Sequence, residues 1–342
     1  MQRRPSHHPD AEKHAWGRCA APLFWWRVAA PLALLLMLSA AGFALGHERG
    51  TVIRPATVYG QPNRESSRLE RLERGRETVI LDRIPGWVHV IATLPATVRN
   101  PDPEAATTRN VTGWVEEKNY IAESTAKGDE ILFAEAVACE DEASQEHARR
   151  GAALDAEHLY YRVYDLFPKA ALAGEALYRA ADIQWQIDRA DIFTRASRRG
   201  GDLATRAEID ETAMRLVRKK FPGTRWAELA EYQMLDNKIC TDWNGASKCP
   251  EKEAEVYQSY AGSHPGSSKA AEAQFNAAYR WAALISIYLT EGRPDKVAEA
   301  KKRALEAAHK LLEKNASPEW NARAERLLYM VQNGVPVYGN AE

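Results

Sequence analysis

Three prolines, Pro168, Pro222 and Pro265, stand at one position of a pattern that the chain repeats. Five residues after each comes an alanine (Ala173, Ala227, Ala270), and eight after each comes another (Ala176, Ala230, Ala273). Ten residues on there is a ring (Tyr178, Tyr232, Phe275), and eight residues before stand Tyr160, Met214 and Tyr257. A proline has no N–H to give to the preceding turn, so it ends one helix and sets up the next. The alanines let the helices of a pair approach closely, and the ring fills the groove between successive pairs. One such unit cannot bury its apolar face alone, so the copies must stack.

The flanking residues agree with helices. Ala270, Ala273, Ala277, Trp281, Leu284 and Tyr288 fall at steps of three and four, one apolar stripe on a helix. Comparable stripes lie in 155–167, 171–189, 211–221, 225–239, 252–262, 295–314 and 319–333. Gly200-Gly201, Pro222-Gly223, Pro265-Gly266, Gly292, Pro294 and Pro318 separate them, and connections this short make neighbours antiparallel. The 54- and 43-residue spacings between the prolines imply lengthened helices or inserted loops, notably Arg195–Arg206.

Residues 51–123 follow another period. Short runs rich in β-branched residues alternate with turns: Val52-Ile53, Thr57-Val58-Tyr59, Thr78–Leu81, Trp87–Ile91, Val111–Val115 and Tyr120-Ile121. The charged stretch Arg68–Gly75 leads into the third of them. Trp87 and His89 alternate with Val88 and Val90, which implies one buried and one exposed face. A unit of about 70 residues must curl its strands into a nearly closed sheet to limit free edges.

The run Tyr59, Pro62, Leu69, Leu72, Gly75, Val79, Leu81, then Gly86-Trp87-Val88-His89-Val90 and Gly113-Trp114-Val115, resembles a bacterial SH3 domain. The insertion Ala92–Asn110 departs from that pattern. Such domains are envelope modules for cell-wall or peptide ligands, and the resemblance implies an aromatic groove lined by Tyr59, Trp87 and Trp114. The alternative is that both tryptophans pack inside the barrel. The segment Phe221–Tyr232 and its two counterparts resemble the tetratricopeptide repeats of bacterial envelope proteins of the outer-membrane-assembly lipoprotein and Tol–Pal coordinator type.

Residues 1–27 carry Arg3, Arg4, Lys13, Arg18 and Arg27, and Val28–Gly46 follows without a charge. A basic start, an apolar run and a small-residue exit match a secretory signal cleaved near Ala44 or Gly46. An uncleaved anchor is the rival, since this length at 1.5 Å per residue nearly spans a bilayer core. Either way the rest is exported, to the periplasm or cell envelope. There Cys240 and Cys249 are expected to pair across the turn at Asn244-Gly245, which the loop-entropy model values at about 2.5–3 kcal/mol. Free thiols or metal ligation are the alternatives, although two cysteines fall short of a four-ligand zinc site.

No sequence motif for nucleotide binding, metal-dependent hydrolysis or serine nucleophiles occurs. Cys139 lies in the acidic helical run Cys139-Glu140-Asp141-Glu142, which raises a thiol pKa rather than activating it. With 46 basic and 47 acidic residues and a net charge of −1, the chain lacks the basic excess of a general nucleic-acid binder. The expected organisation is a signal or anchor (1–46), an all-β SH3-like barrel (47–125), an all-α TPR-like solenoid (126–335) and a tail (336–342). The expected function is a non-enzymatic envelope scaffold with no cofactor. A cell-wall or peptide ligand occupies the barrel, a protein partner occupies the repeats, and the membrane is met only through the N-terminal segment. A purely structural spacer and a degenerate or unrecognised cell-wall hydrolase are the rivals.

Overall fold

Period-two alternation carries through into an antiparallel sheet. In a computed structural model describing residues 47–95, 108–194, 208–240, 243–314 and 317–339, seven strands are seen. They are β1 (Arg49–Val52), β2 (Ala56–Tyr59), β3 (Arg68–Leu72), β4 (Glu77–Ile84), β5 (Trp87–Pro95), β6 (Thr108–Glu116) and β7 (Tyr120–Ala122). Their order is β3-β2-β6-β5-β4-β1-β7, curled into a half-barrel. The inner face is aliphatic: Val52, Val58, Leu72, Val88, Val90 and Val115 are fully buried. The expected leader, residues 1–46, and the insertion Arg195–Arg206 lie outside the described residues. Among the described residues no helix is long and apolar enough to cross a membrane.

Two stretches outside the expected strand runs are strand. The charged run at Arg68 forms the edge strand β3, where charges face water and Leu72 enters the core. Both arms of the insertion Ala92–Asn110 continue the β5–β6 ladder as far as Pro95 opposite Thr108. The reason is local: Ala92 and Leu94 keep pointing inward, so the alternation outlasts the recognisable motif.

Nine helices follow among the described residues. They are α1 (Gly128–Ala143), α2 (Ala152–Leu166), α3 (Ala173–Thr194), α4 (Thr212–Lys220) and α5 (Arg225–Gln233). Then come α6 (Lys248–Ser263), α7 (Ala270–Thr290), α8 (Pro294–Glu313) and α9 (Pro318–Gln332). The stripe read at 225–239 splits: α5 ends at Gln233 and Met234–Lys238 tightens to a 3₁₀ turn. There Asn237 exchanges two side-chain hydrogen bonds with the Ile209 backbone, at 3.0 and 2.9 Å.

The repeat is visible in the backbone. The residues before the three prolines, Phe167, Phe221 and His264, have φ of −125°, −127° and −124° and ψ of 56°, 53° and 58°. A proline's ring bars its predecessor from the helical region, so each helix stops at one place. Each of these residues still donates its N–H to the carbonyl four positions back, at 2.9–3.0 Å. Each also accepts at its own carbonyl from the residue two past the proline. The six repeat alanines, Tyr160, Met214 and Tyr257 are all buried, while Tyr178, Tyr232 and Phe275 are half-buried at the joints. The core is therefore a chain of clusters, one per joint, rather than a single centre.

Sheet and helices belong to one compact unit that starts at His47. β7 joins them: Tyr120 and Ala122 pack into the sheet core, while Ile121 packs with Leu132, Ala136 and Leu159 of α1 and α2. Around that seam Arg49 bonds Glu123, Glu77 and Asp165, and Arg162 bonds Glu77, Asp165 and the Gly75 carbonyl. Gly75 has φ of +71°, and a Cβ there would lie 2.6 Å from His158 Cβ and 2.9 Å from its carbonyl carbon. Gly75→Ala is therefore expected to destabilise the chain by about 2–4 kcal/mol, combining left-handed strain with overpacking. Urea unfolding measures the loss, and an unchanged midpoint would refute the contact.

Candidate binding surfaces

Because side chains alternate along a strand, filling the barrel with valines sends the rings of β2, β5 and β6 to the other face. Register then aligns them. Arg68, Tyr59, Trp114, His89 and Asp82 form one row across five neighbouring strands. His89 and Trp114 stack with centroids 4.6 Å apart and planes 12° apart, while Tyr59 meets Trp87 edge-on at 5.5 Å. All four rings are half-buried, and none belongs to the sheet core. Close approach of β2 depends on Gly113, where a Cβ would sit 2.6 Å from the Tyr59 carbonyl oxygen.

Next to this row Glu116 lies opposite Trp87 and is paired with Arg64 and with Lys118, the latter at 3.0 Å. Hydrogen bonds from Arg64 first, and then from Lys118, hold its carboxyl below the usual range. A cleft of about 300 Å³ opens here, lined by Pro55, Thr57, Tyr59, Arg64, Glu116 and Asn119. Tyr59 and Glu116 belong to both features, so ring platform and polar cleft form one continuous surface. Sequence alternation set Trp87 and His89 on one face of their strand but left open whether the tryptophans pack inside the barrel. The stacking of His89 on Trp114 and the place of Glu116 opposite Trp87 depended on register, which no local pattern reveals.

The helical part presents a second surface. The ring ten residues past each of the first two prolines meets the next copy of the pattern, and the third meets α9. Tyr178 stacks on Trp226 at 5.6 Å, Lys269 Nζ lies 5.3 Å over Tyr232, and Phe275 meets Trp320 at 5.6 Å. A groove of about 670 Å³ crosses α1, α3, α5 and the turn before α7, walled by Tyr178, Trp226 and Leu229 among charged neighbours. Arg179 bonds Glu140 and Glu175 at 3.0 Å each. Asp182 accepts a hydrogen bond from Gln186 at 2.8 Å. Burial pushes the Asp182 carboxyl up, as does Glu140 to a smaller degree, against the Gln186 bond and Lys269, which lower it. A wider groove of about 800 Å³ between α4, α5 and α6 is lined by charges of both signs, including Glu211, Arg215, Glu231 and Lys252.

The cysteines separate into two roles. Cys240 and Cys249 form a disulfide with Cα atoms 6.1 Å apart. Cys139 is buried on α1, accepts from Arg74 Nη1 at 2.7 Å, and has its thiol pKa raised, chiefly by burial. The disulfide loop is anchored by Glu253, fully buried one turn past Cys249. Its carboxylate accepts from the Cys240 N–H at 2.8 Å, Trp243 Nε1 at 3.1 Å and Arg280 Nε at 2.9 Å. In the sequence Glu253 is one more acid in a charged helix; its burial comes from the crosslink that folds the loop over it.

No protein-family model matches the chain, and no curated protein matches it. Among solved structures the chain is similar to a protein described as "DHF58 filament", at 20% identity, over 60% of this chain and 89% of that one, with a TM-score of 0.23. A likeness that slight carries no argument.

Two outcomes follow from the polar geometry. Glu253→Ala leaves Arg280 buried without its counter-charge and is expected to cost about 3–5 kcal/mol in urea unfolding, with Glu253→Gln costing less. Asp182 behaves in the opposite sense. Its folded pKa lies above the unfolded value, so its charged form disfavours folding once the pH exceeds both. Asp182→Asn should accordingly raise the thermal midpoint near neutral pH. The gain should shrink as the pH falls and vanish below the ordinary aspartate pKa of about 3.9.

Proposed function

We propose that this chain is an exported envelope protein that binds and positions partners rather than transforming them. The half-barrel acts as an SH3-like module whose outer aromatic face holds a cell-wall or peptide ligand. The hairpins act as a TPR-like surface for a protein partner. The observation that carries this reading is the row of Tyr59, Trp114 and His89 with Trp87 beside it, half-exposed and outside the core. Folding alone does not call for four adjoining rings on the solvent side of a sheet whose interior is already filled by aliphatic residues. Such rings supply large contact area at little entropic cost when a ligand stacks on them.

The seam at β7 supports the same reading. Because sheet and first hairpin share buried contacts and arginine bridges, a ligand on one surface and a partner on the other are held at a set separation. Two weak contacts on one compact unit raise the effective concentration of each at the envelope. Residues 28–46 provide the export step on the sequence reading, and the Cys240–Cys249 bond suits an oxidising compartment.

Co-sedimentation of the full-length chain with insoluble peptidoglycan, and crosslinking in envelope extracts, test the proposal. Trp87→Ala with Trp114→Ala should weaken sedimentation by about tenfold or more while leaving the circular dichroism spectrum intact. Equal recovery of both forms would favour a spacer, and release of soluble fragments from the peptidoglycan would make the chain a hydrolase.

A further inference from the structure

The groove over α1, α3 and α5 has a charge pattern of its own. Four carboxylates line it, Glu140, Glu175, Asp182 and Glu228, against two guanidinium groups, Arg179 and Arg225. Both arginines are already committed. Arg179 bonds Glu140 and Glu175, while Arg225 lies 3.6 Å from Glu175 and 4.0 Å over the Trp226 ring. Among the described residues Asp182 and Glu228 form no salt bridge. Asp182 is therefore partly desolvated without a cation at bridging distance, beside a wall of rings. The Arg225–Trp226 contact shows that this wall accepts a guanidinium on its face.

We propose that this groove holds an extended peptide segment of a partner protein bearing lysine or arginine. Its cations answer Asp182 and Glu228, and their aliphatic stems lie along Tyr178 and Leu229. This rests on the reading of the hairpins as a partner surface and adds the chemistry of what they hold. An incoming ammonium or guanidinium supplies a counter-charge at bridging distance, where Lys269 acts on Asp182 only from farther off, and so offsets the desolvation that Asp182 bears in the free chain. Acidic segments and nucleic acids are repelled by the same carboxylates. Helix axes spaced about 9 Å apart place three helices across about 20 Å, which about six extended residues span.

The experiment is fluorescence anisotropy of the full-length chain with labelled peptides of repeated Lys-Ala-Leu, Gln-Ala-Leu and Glu-Ala-Leu. The lysine peptide should bind, weaken with rising salt, and lose about tenfold in affinity with Asp182→Asn and more with Glu228→Gln added. The glutamate peptide should not bind. Asp182→Asn is nearly isosteric, and its thermal midpoint verifies that it folds. Equal binding of all three peptides, or lysine-peptide binding indifferent to Asp182→Asn, overturns the charge assignment but leaves a partner groove standing. Failure of every peptide, together with no partner crosslinked through a photoreactive group at position 229, overturns the reading beneath it as well.

Discussion

The constraint on which the helical part depends is the clash between a proline ring and the residue before it. Phe167, Phe221 and His264 share one backbone conformation because each precedes a proline, and each helix ends there. That stop fixes the phase of the next helix. With phase fixed, the alanines five and eight residues on face the seam, and the ring at ten reaches the next copy or, in the third, α9. A shift of one residue would rotate each helix by about 100° and move those alanines off the seam. Stability then accumulates joint by joint, and the ends need caps. α9 supplies one, turning Arg323, Glu325 and Arg326 to water while Ala324, Leu327 and Leu328 are buried.

At the other end the sheet serves as the cap. β7 divides its side chains between two cores, and Arg49 and Arg162 bridge acids of the sheet to acids of α2. Partly exposed pairs of this kind contribute little one by one, but a shared network around a buried apolar seam fixes orientation. The aromatic face is in this way part of the same compact unit as the helical groove.

Both surfaces hold groups that folding alone does not favour. The rings of β2, β5 and β6 remain half-exposed, and Asp182 sits where burial opposes its charge. Glu253 shows the contrast: fully buried, yet given three donors, it fastens the disulfide loop. Glu253 is given three donors that offset its burial, whereas Asp182 has the Gln186 donor and no salt bridge among the described residues.

Local signals in the chain were enough to set element type, because each period and each stop acts over a few residues. The proline-phased alanines, the two Gly-Trp-Val strands and the pairing of Cys240 with Cys249 are all of that kind. Interruption signals were less faithful. The polar stretch after Ile91 read as an insertion although its arms continue the ladder, because inward Ala92 and Leu94 are too small and too few to stand out. Side-chain facing was legible only in part: alternation set Trp87 and His89 on one face of their strand, but not the stacking of His89 on Trp114 or the place of Glu116 opposite Trp87. Cross-strand register, the burial of Glu253 beneath a crosslinked loop, and the placing of Asp182 in a groove of three helices each involve residues far apart along the chain. Such neighbours are chosen by packing of the whole, so only the tertiary structure decided them.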